Sequence, residues 1–368
     1  ILIPYGRQDI TQADIDAVIE VLRSDFLTQG PAVPKFEKTV ANYCGAKHAV
    51  AANSSTSALH IACLALDLGP GDWLWTSPNT FVASSNCALY CGAKVDFVDT
   101  DPLTYNLCPL TLESKLVVAE REGCLPKVVV PVHLSGQSCD MLAIHELAQR
   151  FGFKIIEDAS HAIGGKYKNE AIGNCRYSDI TVFSFHPVKI ITTGEGGMAL
   201  TNDPELANRM VRNRSHGITS EVDRMQARPE NEIWNYQQIS LGFNYRMTDI
   251  QAALGLSQMT RLDEFVNTRQ RIAKRYDEKL AGLPLQTPWQ HPDSYSSYHL
   301  YPIRLKLGEI EKTQRQVYDA LHEADILVNL HYIPVYRQPF YETMGFTAGY
   351  CQNAEQYHKE ALSIPMYP

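Results

Sequence analysis

No C-x-x-C pair occurs among the nine cysteines of this chain, and their number is odd. Such a pattern argues against a disulfide framework and against a zinc site, and it fits reduced thiols in a cytoplasm. Cys87 and Cys91, four apart in a helical pattern, read as small apolar packing groups. No uninterrupted apolar run approaches the ~20 residues that a bilayer requires, and no secretory signal opens the sequence. Positive charge is in deficit, with 33 Lys and Arg against 41 Asp and Glu, a net charge of −8. That balance argues against general binding to nucleic acid or to a membrane surface, while leaving room for a local basic pocket around an anionic ligand. Internal repeats and low-complexity tracts are also absent. What is there is length and apolar content: 368 residues, 45% hydrophobic, are enough for two domains and a sizeable core.

Apolar, β-branched runs alternate with helical stripes through the first two-thirds of the chain. Strands are predicted near 48–53, 72–77, 94–99, 127–134, 154–158, 179–185 and 197–201. Helices are predicted over 55–66, 81–91 and 140–151, the last with Leu142, Leu147 and Phe151 on one side. This alternation implies an α/β fold with a mostly parallel sheet covered on both faces. The last two strands lie too close for a crossover helix, so one of them is expected to run antiparallel. Two helices precede the sheet: one has a stripe at Ile15, Val18, Ile19 and Leu22 behind a Thr11 cap, and the other carries Phe36, Val40 and Tyr43. Residues 217–240 are polar, with isolated Trp234 and Tyr236, and read as a flap over a pocket or a long surface excursion. From Thr248 a helical pattern runs towards Leu283 and leads into a smaller α+β domain with strands near 298–305 and 326–333 and a helix between them. The expected division is therefore 1–247 and 248–368.

The stretch DITVFSFHPVKIITTGEGG, residues 179–197, concentrates the chemistry. An apolar strand ends at Ser184, His186 and Lys189 follow across Pro187, and a Gly-rich turn closes it. A lysine just beyond a buried strand is costly to desolvate and seldom needed for packing, whereas partial desolvation favours the neutral amine that forms a Schiff base. Read alone, it is an ordinary snorkelling lysine. Upstream, Asn53-Ser54-Ser55-Thr56-Ser57 would set amides and hydroxyls at a helix N-terminus, which suits a phosphate as well as a simple cap. Phe81 at the exit of the second strand can lie on a planar ring or in the core. Asp158 ends a strand at the edge where α/β folds place ligands, and a carboxylate there could keep a pyridine nitrogen protonated. Phosphate, ring face, ring nitrogen and aldehyde are the four handles of pyridoxal phosphate.

The motifs NSSTSAL, TSPNTFVAS, EDASHAIG, FSFHPVKIITTGEGG, RSHGI, GFNYRMTDIQAALG and VNLHYIPVY, in this order along nearly the whole chain, resemble those of the DegT/DnrJ sugar-nucleotide aminotransferases. The resemblance implies the type I, aspartate-aminotransferase-like fold of enzymes using pyridoxal 5′-phosphate, with a mostly parallel seven-stranded sheet and a smaller α+β C-terminal domain. It implies that Lys189 carries the cofactor and moves the proton, that Asp158 pairs with the pyridine nitrogen and that His161 lies nearby. Thr56 and Ser57 would bind phosphate through their amides, helped by Ser184, and Phe81 would stack on the ring. Asn244 would reach the phosphate in a neighbouring subunit's site, making a homodimer with shared sites, and Arg246 would contact substrate. Tyr5, Leu27, Thr28, His186, His331 and Tyr332 would surround the sugar nucleotide. FLTQG, SHAIGGKY, SFHPVKIIT and VNLHYIPVY resemble in particular the branch serving pseudaminic acid synthesis. That likeness implies L-glutamate as donor, a UDP-linked 4-keto-6-deoxy-N-acetylhexosamine as acceptor at C4, and pyridoxamine phosphate as the cofactor's intermediate form. Another nucleotide ketosugar and C3 amination stay open. Relatives that eliminate water carry histidine in place of the lysine, and this chain shows no such departure. A catalytically silent sensor would need a lost lysine or a DNA-binding appendage, and the sequence shows neither.

Overall fold

In the computed structural model, which describes residues 2–229, 231, 233 and 236–368, all seven predicted strands form and join one sheet. They are β1 (His48–Ala52), β2 (Trp73–Thr76), β3 (Lys94–Phe97), β4 (Val128–Val130), β5 (Lys154–Asp158), β6 (Ile180–Ser184) and β7 (Gly197–Thr201). Their order is β1-β7-β6-β5-β4-β2-β3. β7 runs antiparallel to both β1 and β6, and the remaining pairings are parallel. It folds back because the short Gly-rich link after β6 contains no crossover helix.

After α1 (Gln12–Leu22), helices cover both faces: α2 (Ala32–Cys44), α3 (Ser55–Ala65), α4 (Ala83–Tyr90), α5 (Pro109–Glu122), α6 (Met141–Phe151) and α7 (Pro204–Arg214). Adjacent strand residues part to opposite sides, as the period of two requires. Val50, Val182 and Ala199 pack with Leu59 of α3, Cys87 of α4 and Met210 of α7. Their neighbours Ala51, Phe183 and Met198 pack with Phe36 and Val40 of α2. Each fully buried Leu, Ile or Phe in these layers contributes about 1.5–3 kcal/mol. α5 was not anticipated from the sequence; its Leu112, Leu116 and Ala119 are its buried side.

α1 departs from the expected stripe. Ile15 and Leu22 are 45% and 55% exposed, while Asp14 is fully buried. The Asp14 carboxylate accepts from the Thr11 N–H, Gln258 Nε2 and Arg261 Nη2 at 2.8, 2.9 and 2.8 Å. A buried acid held by three donors on its Oδ2, rather than an apolar side chain, therefore sets the rotation of this helix.

The pattern from Thr248 resolves into two helices, α8 (Asp249–Met259) and α9 (Leu262–Leu280). α8 and the start of α9 pack on α2, whereas Ala273 belongs to the core beneath a second, antiparallel sheet. That sheet comprises β8 (Leu285–Gln286), β9 (Tyr301–Leu305) and β10 (Ala361–Ile364), with α10 (Gln314–Glu323) following β9. The strand expected near 326–333 is not regular: the segment makes isolated bridges, Ile326 to Ile3 and Asn329 to Ser363. It divides its hydrogen bonds between the N-terminal segment and β10, and it is β10 that pairs with β9 in the small sheet. Within 217–240, Ile218–Thr219 pairs with Gln237–Gln238; Trp234 lies outside the described residues.

The carboxyl ends of β1, β2, β5 and β6 and the amino end of β7 share one edge of the large sheet. Loops at such an edge are where open α/β sheets bind ligands.

Candidate active site

The link from β1 to α3 forms the first wall. Ser54 is extended and caps α3, its Oγ accepting from the Ser57 N–H at 3.1 Å. Ser57 Oγ donates in turn to Asn53 Oδ1 at 2.7 Å. Both polar groups of Ser57 are thus spent on the cap, and Ser54, Ser55 and Thr56 are the segment's residues that line the cavity. The first N–H groups of a helix have no partner within it, and the helix dipole adds to their attraction for an anion. Gly197 of β7 lies directly behind this turn; a Cβ there would stand 2.4 Å from Ser55 N.

β5 delivers two carboxylates with opposite fates. Glu157 turns to a buried pair with His133, Oε2 to Nε2 at 2.7 Å, and also accepts from Ser178 and Thr181. Asp158 faces the cavity while remaining 4% exposed. It accepts from Ser84 Oγ at 2.6 Å, Ser160 Oγ at 2.6 Å and the Ser160 N–H at 3.1 Å. Three donors replace much of its lost water and fix the plane of the carboxylate.

Lys189 stands on the loop after β6, its own N–H bonded to the His186 carbonyl at 2.8 Å. Burial lowers its amine from 10.5 to about 8, against the upward pull of Asp158. At neutral pH on the order of a tenth of such amines are unprotonated, compared with well under a thousandth for a solvated lysine. The site therefore makes the nucleophilic form accessible.

Three imidazoles surround this amine without adding charge. Burial, reinforced by the positive charge of Lys189, holds His161 and His299 well below the usual histidine range and His331 at about 4. His161 Nδ1 accepts from the Ser135 N–H at 3.2 Å. The neutral ring thus carries its proton on Nε2, which faces the Tyr332 hydroxyl at 3.3 Å. His331 Nδ1 meets Ser363 Oγ at 2.9 Å, and its ring lies 5.4 Å from that of Tyr5.

One cavity of about 460 Å³ gathers Tyr5, Thr56, Phe81, Asp158, His161, Ser184, His186, Lys189, His331 and Tyr332. Phe81 is 59% exposed, so its ring borders the cavity instead of filling the core. Ser57, Leu27, Thr28, Asn244 and Arg246 do not line it. Three side chains that contact Asp158 or Lys189 escaped the sequence reading. Ser84 and Ser160 lie inside quoted motifs; Ser160, two positions after Asp158, could have been suspected, whereas Ser84 is 74 positions away from it. His299 comes from the segment leading into β9, and nothing local signals it.

These residues fit pyridoxal phosphate. Amides at the start of α3 suit its phosphate, Phe81 its ring face, the buried Asp158 a cationic ring nitrogen, and Lys189 its aldehyde. A buried, unpartnered His299 Nδ1 marks polar capacity that the described residues leave unused.

Comparison with known proteins agrees. The sequence model of the DegT/DnrJ/EryC1/StrS aminotransferase family matches residues 8–368. The spore coat polysaccharide biosynthesis protein SpsC of Bacillus subtilis is 40% identical over all of this chain and 92% of its own length. The UDP-4-amino-4,6-dideoxy-N-acetyl-beta-L-altrosamine transaminase of Campylobacter jejuni is 37% identical over 100% and 93%, and the GDP-perosamine synthase of Caulobacter vibrioides is 38% identical over 89% and 83%. Among solved structures, Helicobacter pylori PseC, an aminotransferase of pseudaminic acid biosynthesis, superimposes with a TM-score of 0.88 at 32% identity, covering 100% of this chain and 94% of that one. The Spr1654 protein of Streptococcus pneumoniae gives 0.89 at 28% identity over 100% and 94% in its PLP form, and it is also solved in a PMP form.

Proposed function

This chain belongs to the DegT/DnrJ/EryC1/StrS aminotransferase family and is a sugar aminotransferase of the type I pyridoxal phosphate fold; from that premise we propose that it moves the amino group of L-glutamate to C4 of a UDP-linked 4-keto-6-deoxy-N-acetylhexosamine. The product would be UDP-4-amino-4,6-dideoxy-N-acetyl-β-L-altrosamine, on the route to pseudaminic acid. The observation carrying the chemistry is the convergence of Lys189, Asp158 and the start of α3 in one cavity. The acceptor rests on the relative from Campylobacter jejuni and on the likeness to PseC.

Pyridoxal phosphate, when bound, supplies the electron sink and the site that carries the amino group between donor and acceptor. The protein's part is division of labour among its own groups. Lys189 Nζ takes the proton from glutamate's α-carbon as a base and hands it on as an acid, a role its lowered basicity suits. Asp158, locked by Ser84 and Ser160, offers fixed negative charge to a ring nitrogen. Ser55 and Thr56 hold the phosphate with the amides that open α3. The neutral His161, His331 and Tyr332 offer hydrogen bonds to the sugar nucleotide without repelling the lysine.

Asn244 and Arg246, which lie outside their own cavity, are assigned to the site of a partner subunit in a homodimer. Phe26 and Leu27, 55% and 45% exposed, supply apolar surface for a second copy. Residues 1–247 and 248–368 are proposed as the cofactor-binding and smaller domains, with α8 of the latter packed on α2. Residence in the cytoplasm belongs to the same proposal and rests on the cysteine pattern.

A second acceptor reading has its own support: the GDP-perosamine synthase matches this chain about as well as the altrosamine transaminase does. The deciding experiment incubates protein, cofactor and L-glutamate with UDP-, GDP- and dTDP-linked ketosugars and identifies products by NMR. Amination of the UDP-sugar at C4, with one 2-oxoglutarate formed per sugar, supports the proposal. Amination of the GDP-sugar alone transfers it to the second reading. Loss of a hydroxyl without 2-oxoglutarate would show a dehydratase. Borohydride should trap the cofactor on wild-type protein and fail to do so on Lys189→Ala.

A further inference from the structure

We propose that His299 is the residue that aims the Lys189 amine, by accepting a hydrogen bond from Nζ at its Nε2. The idea rests on the proposed role of Lys189 and adds a second unit of the fold to its control. Nε2 lies 3.5 Å from Nζ, the long end of hydrogen-bond range, and is the one hydrogen-bond partner of Nζ among the described residues. The two residues are 110 positions apart. Lys189 follows β6 of the large sheet, whereas His299 leads into β9 of the small one.

The imidazole has little freedom. It is 4% exposed, and its ring centroid lies 4.3 Å from that of His161. The buried Arg269 of α9 donates from Nη1 to the carbonyls of Tyr298, His299 and Met366 at 3.0, 3.2 and 2.9 Å. On the other side, the Ser297 N–H bonds to the Gly136 carbonyl at 3.1 Å and Ser297 Oγ to the His161 carbonyl at 2.9 Å. The segment is therefore clamped by α9 and tied to the loop that supports His161.

Electrostatics fix the direction of the bond. Besides its burial, His299 faces Lys189, His161, Arg269 and His331, all of which disfavour its protonation; Asp158 favours the charged form of Lys189. A neutral imidazole keeps one lone pair. With the ammonium in front of Nε2, that lone pair sits on Nε2 and the proton on Nδ1. Without this contact, the amine would end a chain of four freely rotating bonds.

The test uses full-length protein stripped of cofactor. Lys189 acylation by isotope-labelled acetic anhydride, read by mass spectrometry across pH, titrates the amine. Wild type should show a midpoint near 8. His299→Leu removes the acceptor that stabilises the ammonium, so the midpoint should fall by about 1 unit, a tenfold shift in the equilibrium. His299→Gln, which keeps an acceptor at the end of a side chain of similar reach, should restore most of it, whereas His299→Asn, too short, should behave like Leu. In the loaded enzyme kcat should fall by ~10²-fold in the Leu variant with a smaller change in KM for glutamate. A folded Leu variant with the wild-type midpoint overturns the proposal; should Leu not fold, equal midpoints for Gln and Asn do so. Because the titration needs neither cofactor nor substrate, it stands even if borohydride trapping refutes the proposed function.

Discussion

Replacing Gly197 with alanine tests whether the start of α3 holds the cofactor phosphate. Gly197 pairs with Ala52 of β1 on one side and with Ser184 of β6 on the other. An added Cβ would stand 2.4 Å from Ser55 N and 2.5 Å from Ser54 C and Ser55 Cα. Ordinary contact begins near 3.4 Å, so about 1 Å of movement is required. The obstructing atoms are all backbone, and none is the end of a side chain that could swing aside. β7 is bonded to a neighbour on each side, so the capping turn of α3 is what yields. Overpacking of this kind costs about 1–3 kcal/mol of stability. The functional loss should be larger relative to background, because a ~1 Å displacement of a positioning group costs on the order of 10²-fold. The expected result is a modest fall in the thermal unfolding midpoint and a ~10²-fold weaker affinity for pyridoxal phosphate, read by absorbance titration of the stripped protein. A folded Gly197→Ala protein that binds the cofactor like wild type would refute both the contact and the assignment of the cradle.

Three further outcomes follow from other contacts. The rate at which stripped protein captures pyridoxal phosphate should rise with pH through about 8, because only the neutral Lys189 amine attacks; a midpoint near 10.5 in a stopped-flow absorbance series would contradict the desolvation argument. Ser84→Ala removes the 2.6 Å bond to the buried Asp158, and kcat/KM for glutamate should fall ~10-fold or more with a loss of about 1–3 kcal/mol in stability. Burial alone would raise the Glu157 carboxyl above 4.5, but hydrogen bonds from His133, Ser178 and Thr181 leave it lowered. Its stabilising effect is therefore present above 4.5 and is lost as pH falls through the depressed folded value. Glu157→Gln, which weakens these buried hydrogen bonds, should cost about 1–3 kcal/mol near neutrality and flatten the acid limb of the unfolding curve, measured by urea titration across pH.

How far the site could be read in one dimension depended on where its parts are stored. The seven strands of the large sheet were legible because burial on both faces makes each a short apolar run, and the antiparallel β7 followed from the length of its link. Residues at strand ends, Asp158 and Ser184, were legible for the same reason: once the strand is found, its carboxyl end is found. The exposed side of α1 was misread because Asp14, an acid with three donors supplied largely by α8 and Arg261, replaces an apolar residue at the contact. β10 was missed because its four residues, Ala361–Ile364, carry too little pattern, while the longer apolar run at 326–333 spreads its bonds over two partners. His299 marks the deeper limit. Its sequence neighbourhood describes a strand of the small sheet, and the property that matters is where that sheet docks. Only the clamp by Arg269 and the tie through Ser297 bring its ring to Lys189. Side chains supplied by a loop at a strand's own end can be inferred from the strand; those supplied by a second unit depend on the packing between units, and that is recorded in no local pattern. The same reasoning applies to Asn244 and Arg246. If their cavity is a partner's, even a complete account of one chain leaves their role to the assembly, and a dimer-breaking substitution among the exposed apolar residues near Leu27 should lower cofactor affinity without touching one residue that lines the cavity.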